Sequence, residues 1–148
     1  MREFGVSWWL VPGMNFHRNP LCGRNLEYYP ENPMISGKMA VAIALGVQSA
    51  PGAGMTIKHF ACNNQKDNRT SLDSIVSERV LRELYLRGFE IAVKEAQPMT
   101  IMTSYNRING VHAVNSSHLY ITVARDKLIL GRRHDRLVYD MFPGGNDS

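Results

Sequence analysis

The apolar stretch Thr56-Ile57-Lys58-His59-Phe60-Ala61-Cys62 is interrupted by a cation and an imidazole. A buried strand normally stays apolar to its end, because an unpaired charge taken out of water costs several kcal/mol and tends to lose its proton instead. Lys58 and His59 are therefore expected at the rim of a strand, offering hydrogen bonds to a polar ligand. Polar residues follow other apolar runs in the same way. The segment "WLVPGMNFHRNPLCGRN" (9–25) continues a first run, Ser104-Tyr105-Asn106 end another, and Asp140 ends a weaker one.

Residues Val6–Val11, "VSWWLV", form a short apolar run closed by Pro12-Gly13, which predicts a buried strand followed by a loop. The pattern returns in "MTIKHF" (Met55–Phe60), "MTIMTSY" (Met99–Tyr105) and "RLVYD" (Arg136–Asp140). Between the runs lie helical patterns. One starts at Ser36 ("SGKMAVAIALGVQS"). A longer one, capped by Ser77, places Leu81, Leu84, Tyr85, Gly88 and Ala92 on one face; a third falls within 115–130. Strand, loop and helix recur every 40 to 45 residues or so, which predicts βα units on a parallel sheet. In such sheets the loops after the strands gather at one face, where ligands bind. Four strands amount to half of a closed eight-stranded barrel of about 250 residues, so the fold class expected is α/β, a partial (β/α)8 TIM-type barrel spanning 1–148.

The 148 residues are 44% hydrophobic, enough for a real core. No apolar run reaches the roughly 18 residues of a membrane helix and no secretory segment follows Met1, so a soluble, cytoplasmic protein is expected. The formal charge of +4 comes from dispersed basic residues, and no nucleic-acid partner is expected. Cys22 and Cys62 read as reduced thiols; His112, His118 and His134 lack metal-ligand spacing, and no metal or other cofactor is expected.

The segments "PGMNFHRNPLCGRNLEYYPENP", "TIKHFACNNQKDNR", "SERVLRELYLRGFEIAVKEAQP" and "IMTSYNRINGVHAVNSS" resemble family 3 glycoside hydrolases, the bacterial β-glucosidase branch in particular, over roughly residues 5 to 118. The resemblance implies a retaining hydrolase that releases terminal β-D-glucosyl residues from glucosides or oligosaccharides. It assigns Arg24, Lys58 and His59 to hydrogen bonds with hydroxyls of the sugar being cleaved, Met102 and Tyr105 to the lining of that subsite, and Asp140 to the nucleophile. Charge-assisted donors fix a sugar ring, and orientation lowers the barrier at the anomeric carbon. A retaining enzyme needs one carboxylate to attack that carbon and a second, about 5 to 5.5 Å away, to protonate the leaving oxygen. Lys58 near Asp140 would help keep the nucleophile ionised. On a short strand Trp8 and Trp9 are expected in packing, one toward the core and one toward the helices, and not as a sugar platform.

The stretch 119–148 matches the family poorly: Leu128 stands where a Trp is usual, Arg136 where a Gly is usual, and Met141 follows Asp140 in place of a Trp. Asp140 also arrives one residue early after Asp135, which is the alternative nucleophile. The β-glucosidase branch carries its acid/base Glu in a domain after the barrel, which this chain is expected to lack. The β-N-acetylglucosaminidase branch uses an Asp-His pair on the loop after "KHF"; Asp73-Ser74-Ile75 has no such His. The expectation is a truncated piece, of reduced or no activity alone, able to self-associate through an exposed sheet edge.

Overall fold

A computed structural model describes residues 2–29, 31–119 and 138–139. Within them lie strands β1 (Trp8–Trp9), β2 (Gly54–Phe60), β3 (Asp73–Ser74), β4 (Thr100–Thr103), β5 (Arg107–Ile108), β6 (Val111–His112) and β7 (Val138–Tyr139). The helices are α1 (Pro33–Gln48), α2 (Glu78–Val80) and α3 (Arg87–Ala96). The main sheet has the order β1-β2-β4-β7 with every pair parallel, as the βα alternation predicts. Thr56 pairs with Thr100 and Lys58 with Met102. Strand alternation then sends these residues to one face, and Met55, Ile57 and Ile101 to the other.

The second face carries the helices. Met55, Ile57, Phe60 and Ile101 join Ala40 and Ala44 of α1 and Phe89, Ala92 and Val93 of α3 in one core. Phe60 and Phe89 meet edge to face, with ring centroids 5.1 Å apart. Small residues let the helices cross closely: a Cβ on Gly37 would lie 2.9 Å from the Ile91 Cβ and 3.0 Å from the Gly88 carbonyl.

Helix α1 begins three residues before the expected Ser36. The Asn32 side chain accepts from the Met34 N–H at 2.8 Å and Pro33 occupies the first turn, a start signal stronger than the apolar pattern itself. Ser77 does cap α2, accepting from the Val80 N–H. The helix it opens is not uniform, however. A π turn over Leu81–Tyr85 closes with Leu86 N–H to Leu81 O at 2.9 Å, adding one residue to the turn and rotating the phase of the residues beyond it. Leu84, expected on the buried face, is therefore 36% exposed, while Leu86 and Phe89 enter the core. Of the third helical pattern, 120–130 lies outside the described residues.

Trp8 and Trp9 correct a second expectation. They are 40% and 44% exposed, because β1 has only β2 beside it among the described residues. Trp8 lies across the sheet and donates its indole N–H to Thr56 Oγ1 at 2.7 Å, with Thr100 Oγ1 at 3.3 Å. The first strand is also shorter than Val6–Val11.

A second sheet, β3-β5-β6, was not foreseen. Its hairpin turns at Asn109-Gly110, both at positive φ, and Asp73 Oδ1 accepts the Gly110 N–H at 3.0 Å. Asn-Gly between two short extended runs is the usual signal for this turn, and "RINGVH" contains it.

Candidate functional site

The C-terminal edge of the main sheet is where the expected residues gather. Beyond β1 the chain stays beside β2: Lys58 N–H donates to Pro12 O at 3.1 Å and Met14 N–H to Lys58 O at 2.6 Å. Gly13 is bridged to both Lys58 and Tyr28, and a Cβ there would stand 2.7 Å from the Tyr28 ring, which explains the glycine. The Lys58–His59 and Phe60–Ala61 peptides are cis. This prolonged segment carries Asn15 against His59 and then returns through a turn that supplies Arg24 and Glu27.

Arg24 Nη1 lies 3.0 Å from His59 Nε2. Its Nε is paired with Glu27 Oε1, and the other Glu27 oxygen is 3.5 Å from Lys58 Nζ. Met102 is buried beside Lys58 in the strand register. The Tyr105 ring lies 6.3 Å from the His59 ring, with the Arg69 guanidinium 4.5 Å over its centroid. Lys66 donates to Asn63 Oδ1 at 3.1 Å and stands 5.7 Å from the Tyr28 ring. The structure thus brings Arg24, Lys58, His59, Met102 and Tyr105 together. Asp140 follows β7 in the sequence but, with Asp135, lies outside the described residues.

The electrostatics of this group are one-sided. Arg24, Lys58, Lys66 and Arg69 all act on His59, while Glu27 pairs with Arg24 and Lys58. Burial, with help from Arg24, pulls the Lys58 ammonium below its usual range. Burial and then Arg24 bring Lys66 down to about 8. His59, 2% exposed, is held down to about 2, by burial first and by Arg24, Lys66, Lys58 and Arg69 after it. The sequence suggested a charge-assisted donor at this position; the structure makes His59 a neutral ring, because a proton added here would be buried among cations. What remains is a set of guanidinium and ammonium donors around a neutral imidazole, suited to a ligand rich in hydroxyls and to a nearby carboxylate.

Asn15, Glu27, Lys66 and Arg69 were not singled out from the sequence. Arg24 and Glu27 stand three apart, the spacing of an ion pair within one turn, which was the available signal. Nothing in the sequence marked Asn15, whose partner is 44 positions away. His17 holds the loop, its Nε2 lying 2.9 Å from Tyr28 O. A separate cleft of about 240 Å³, lined by Arg18, Cys62, Asn64, Asp73 and Tyr85 among others, opens behind the loop after β2. Burial pushes its Cys62 thiol up to about 12, so the thiolate needed for nucleophilic chemistry does not form near neutral pH.

With this geometry in place, the relatives can be compared. Residues 1–130 match the family model described as the glycosyl hydrolase family 3 N terminal domain. The chain is 52% identical over 118 residues to an exo-alpha-(1->6)-L-arabinopyranosidase of Bifidobacterium breve, covering 80% of this chain and 16% of that protein. It is 48% identical over 125 residues to a β-glucosidase of Ruminococcus albus, covering 84% and 13%. Among solved structures, β-glucosidase 3B from Thermotoga neapolitana in complex with glucose superposes with a TM-score of 0.83 at 54% identity, over 86% of this chain and 18% of that one. The chain therefore spans less than a fifth of these relatives. By the length and closeness of the match, it belongs to glycosyl hydrolase family 3, within that family's N-terminal domain.

Proposed function

We propose that this chain forms the sugar-holding part of a retaining β-glucosidase-type glycoside hydrolase that removes terminal β-D-glucosyl residues. The observation that carries the reading is the convergence of Arg24, Lys58 and His59 at the C-terminal edge of parallel strands, inside the segment shared with β-glucosidases. On this reading the four parallel strands are part of a (β/α)8 barrel. Guanidinium and ammonium groups orient the sugar, Met102 and Tyr105 line its ring, and Asp140 attacks the anomeric carbon. The attack forms a glycosyl ester as the C–O bond to the leaving group breaks. A second carboxyl, supplied from outside this segment, protonates the departing oxygen and then activates the water that releases the sugar. Lys58 would favour the ionised form of Asp140.

The test is hydrolysis of aryl β-D-glucosides and α-L-arabinopyranosides, with a 2-fluoro-glucoside to trap the intermediate for mass spectrometry. The arabinoside arm is included because of the named Bifidobacterium relative. The expected result is an adduct on Asp140, absent in Asp140→Ala, and a rate lowered about 100- to 1,000-fold in Lys58→Ala, the cost of removing one well-placed donor. An adduct on Asp135 would move the nucleophile there. A folded chain with neither turnover nor adduct would instead be a catalytically inactive remnant, binding sugar weakly at most.

We also propose that the β1 edge self-associates. Ser7 O accepts the Gly54 N–H at 2.9 Å, so by parallel-ladder alternation the peptide groups of Trp8 and Leu10 point off the sheet. Val6, Trp8, Trp9 and Leu10 are all about two fifths exposed. Size-exclusion chromatography with light scattering is expected to show oligomers that shrink on Leu10→Pro, which removes an edge donor. A sharp monomeric peak for the unmodified chain would end this idea.

A further inference from the structure

Three contacts join Asn15 to His59, and together they leave the imidazole one arrangement. The Asn15 amide bonds both main-chain groups of His59: Nδ2 donates to His59 O at 2.9 Å, and Oδ1 accepts the His59 N–H at 3.1 Å. A peptide N–H can only donate and a carbonyl can only accept, so these bonds fix which end of the amide is which. The same Oδ1 lies 3.2 Å from the ring's Nδ1. An oxygen facing a ring nitrogen at that distance requires the proton to be on Nδ1. At the opposite edge of the ring, Arg24 Nη1 lies 3.0 Å from Nε2. A guanidinium offers donors alone, so Nε2 must be the bare nitrogen. The two edges are reached from different parts of the loop and demand the same tautomer.

We infer that Asn15 is a positioning residue that locks His59 in the Nδ1–H tautomer, so that Nε2 enters the subsite as a hydrogen-bond acceptor. Asn15 is 4% exposed, and both polar atoms of its amide are spent on His59. Arg24 Nη1 meets this acceptor. When a sugar binds, a hydroxyl donating to Nε2 takes that place and frees the guanidinium to donate elsewhere on the ring. This last step rests on the glycoside hydrolase reading; the tautomer does not, since it comes from the contacts with Asn15 and Arg24. The charged groups around the ring are Arg24, Lys58, Lys66 and Arg69, and all four oppose a second ring proton.

Long-range proton–nitrogen correlation spectra of 15N-histidine-labelled protein, without ligand and near neutral pH, read the tautomer directly. His59→Gln identifies the signal among the five histidines. The expected spectrum has a protonated Nδ1 and a bare Nε2. Arg24→Ala, at a partly exposed position, is expected to keep that pattern, because Asn15 still holds Nδ1. Adding Asn15→Leu to Arg24→Ala is expected to lose it. Asn15→Asp, whose carboxylate can only accept, is expected to retain Nδ1–H. An Nε2–H or doubly protonated ring in the unmodified chain would overturn the inference. So would a switch to Nε2–H in Arg24→Ala, which would make Arg24 the selecting group. Should the double variant fail to fold, those two spectra still decide. Loss of glucosidase activity, or its absence, changes none of these outcomes.

Discussion

Phe60→Ala is expected to destabilise the chain by about 3–5 kcal/mol, the usual cost of emptying a large aromatic site in a packed core. Phe60 has no exposed surface and meets Phe89 edge to face at 5.1 Å, so the truncation removes burial and a favourable ring pair together. Domains of this kind have about 5–15 kcal/mol in total, so much of the stability would go. Urea titrations followed by far-ultraviolet circular dichroism measure it. Leu45→Ala is the comparison: Leu45 is 53% exposed on α1, and its loss should stay within about 0.5 kcal/mol. Similar midpoints for the two variants would mean that the Phe60–Phe89 contact does not anchor the sheet to α3. Phe60 also follows His59 directly, so the variant should loosen the end of β2 on which the cluster is built.

The second large effect is acid destabilisation through a single ring. An unfolded histidine titrates near pH 6.5, whereas folded His59 is held down to about 2. Between those values the unfolded chain binds a proton that the folded chain refuses, so the unfolded state gains as pH falls. The contribution is fully present above about pH 6.5 and is lost progressively below it, at up to about 1.4 kcal/mol per pH unit. From neutrality to pH 5 the loss is about 2 kcal/mol. Lys66, down to about 8, adds no slope in that window, because it is protonated there in both states. Glu78 and Glu90, lowered by their Arg and Lys partners, give stability that disappears only at more acid pH. Melting curves at pH 7, 6 and 5 should therefore converge for His59→Gln and fall steeply for the unmodified chain. Equal slopes in the two proteins would show that the ring is not the source.

Several parts of this arrangement were legible in the residues alone. The recurrence of "VSWWLV", "MTIKHF" and "MTIMTSY" placed three strands within a few residues of β1, β2 and β4, because strand length and loop punctuation are local properties. The fourth, "RLVYD", contains β7. Ser77 announced a helix start, and the helix it opens carries the surface ion pairs Arg79–Glu83 and Arg82–Glu78. What misled was phase and neighbourhood. A single extra residue in the π turn moved Leu84 out and Leu86 in, and no local pattern reveals an inserted residue whose reason is packing. Trp8 and Trp9 looked like core residues since their types are apolar, but burial depends on what lies beside a strand.

The residue types gathered at the candidate site, Arg24, Lys58, His59, Met102 and Tyr105, were determined by the sequence itself, since each marks the end of a strand or the loop beyond it. So was membership of the family, carried by motifs whose order and separation survive in one dimension. The charge state of His59 was decided only by the tertiary structure. Burial and the cations Arg24, Lys66, Lys58 and Arg69 set it, and Arg24 reaches the ring from 35 positions away. A proton's free energy depends on all charges and dipoles within a few ångströms, whatever their separation along the chain. For that reason the chain's order could say which groups would be present, and only folding could say which of them would donate and which would accept.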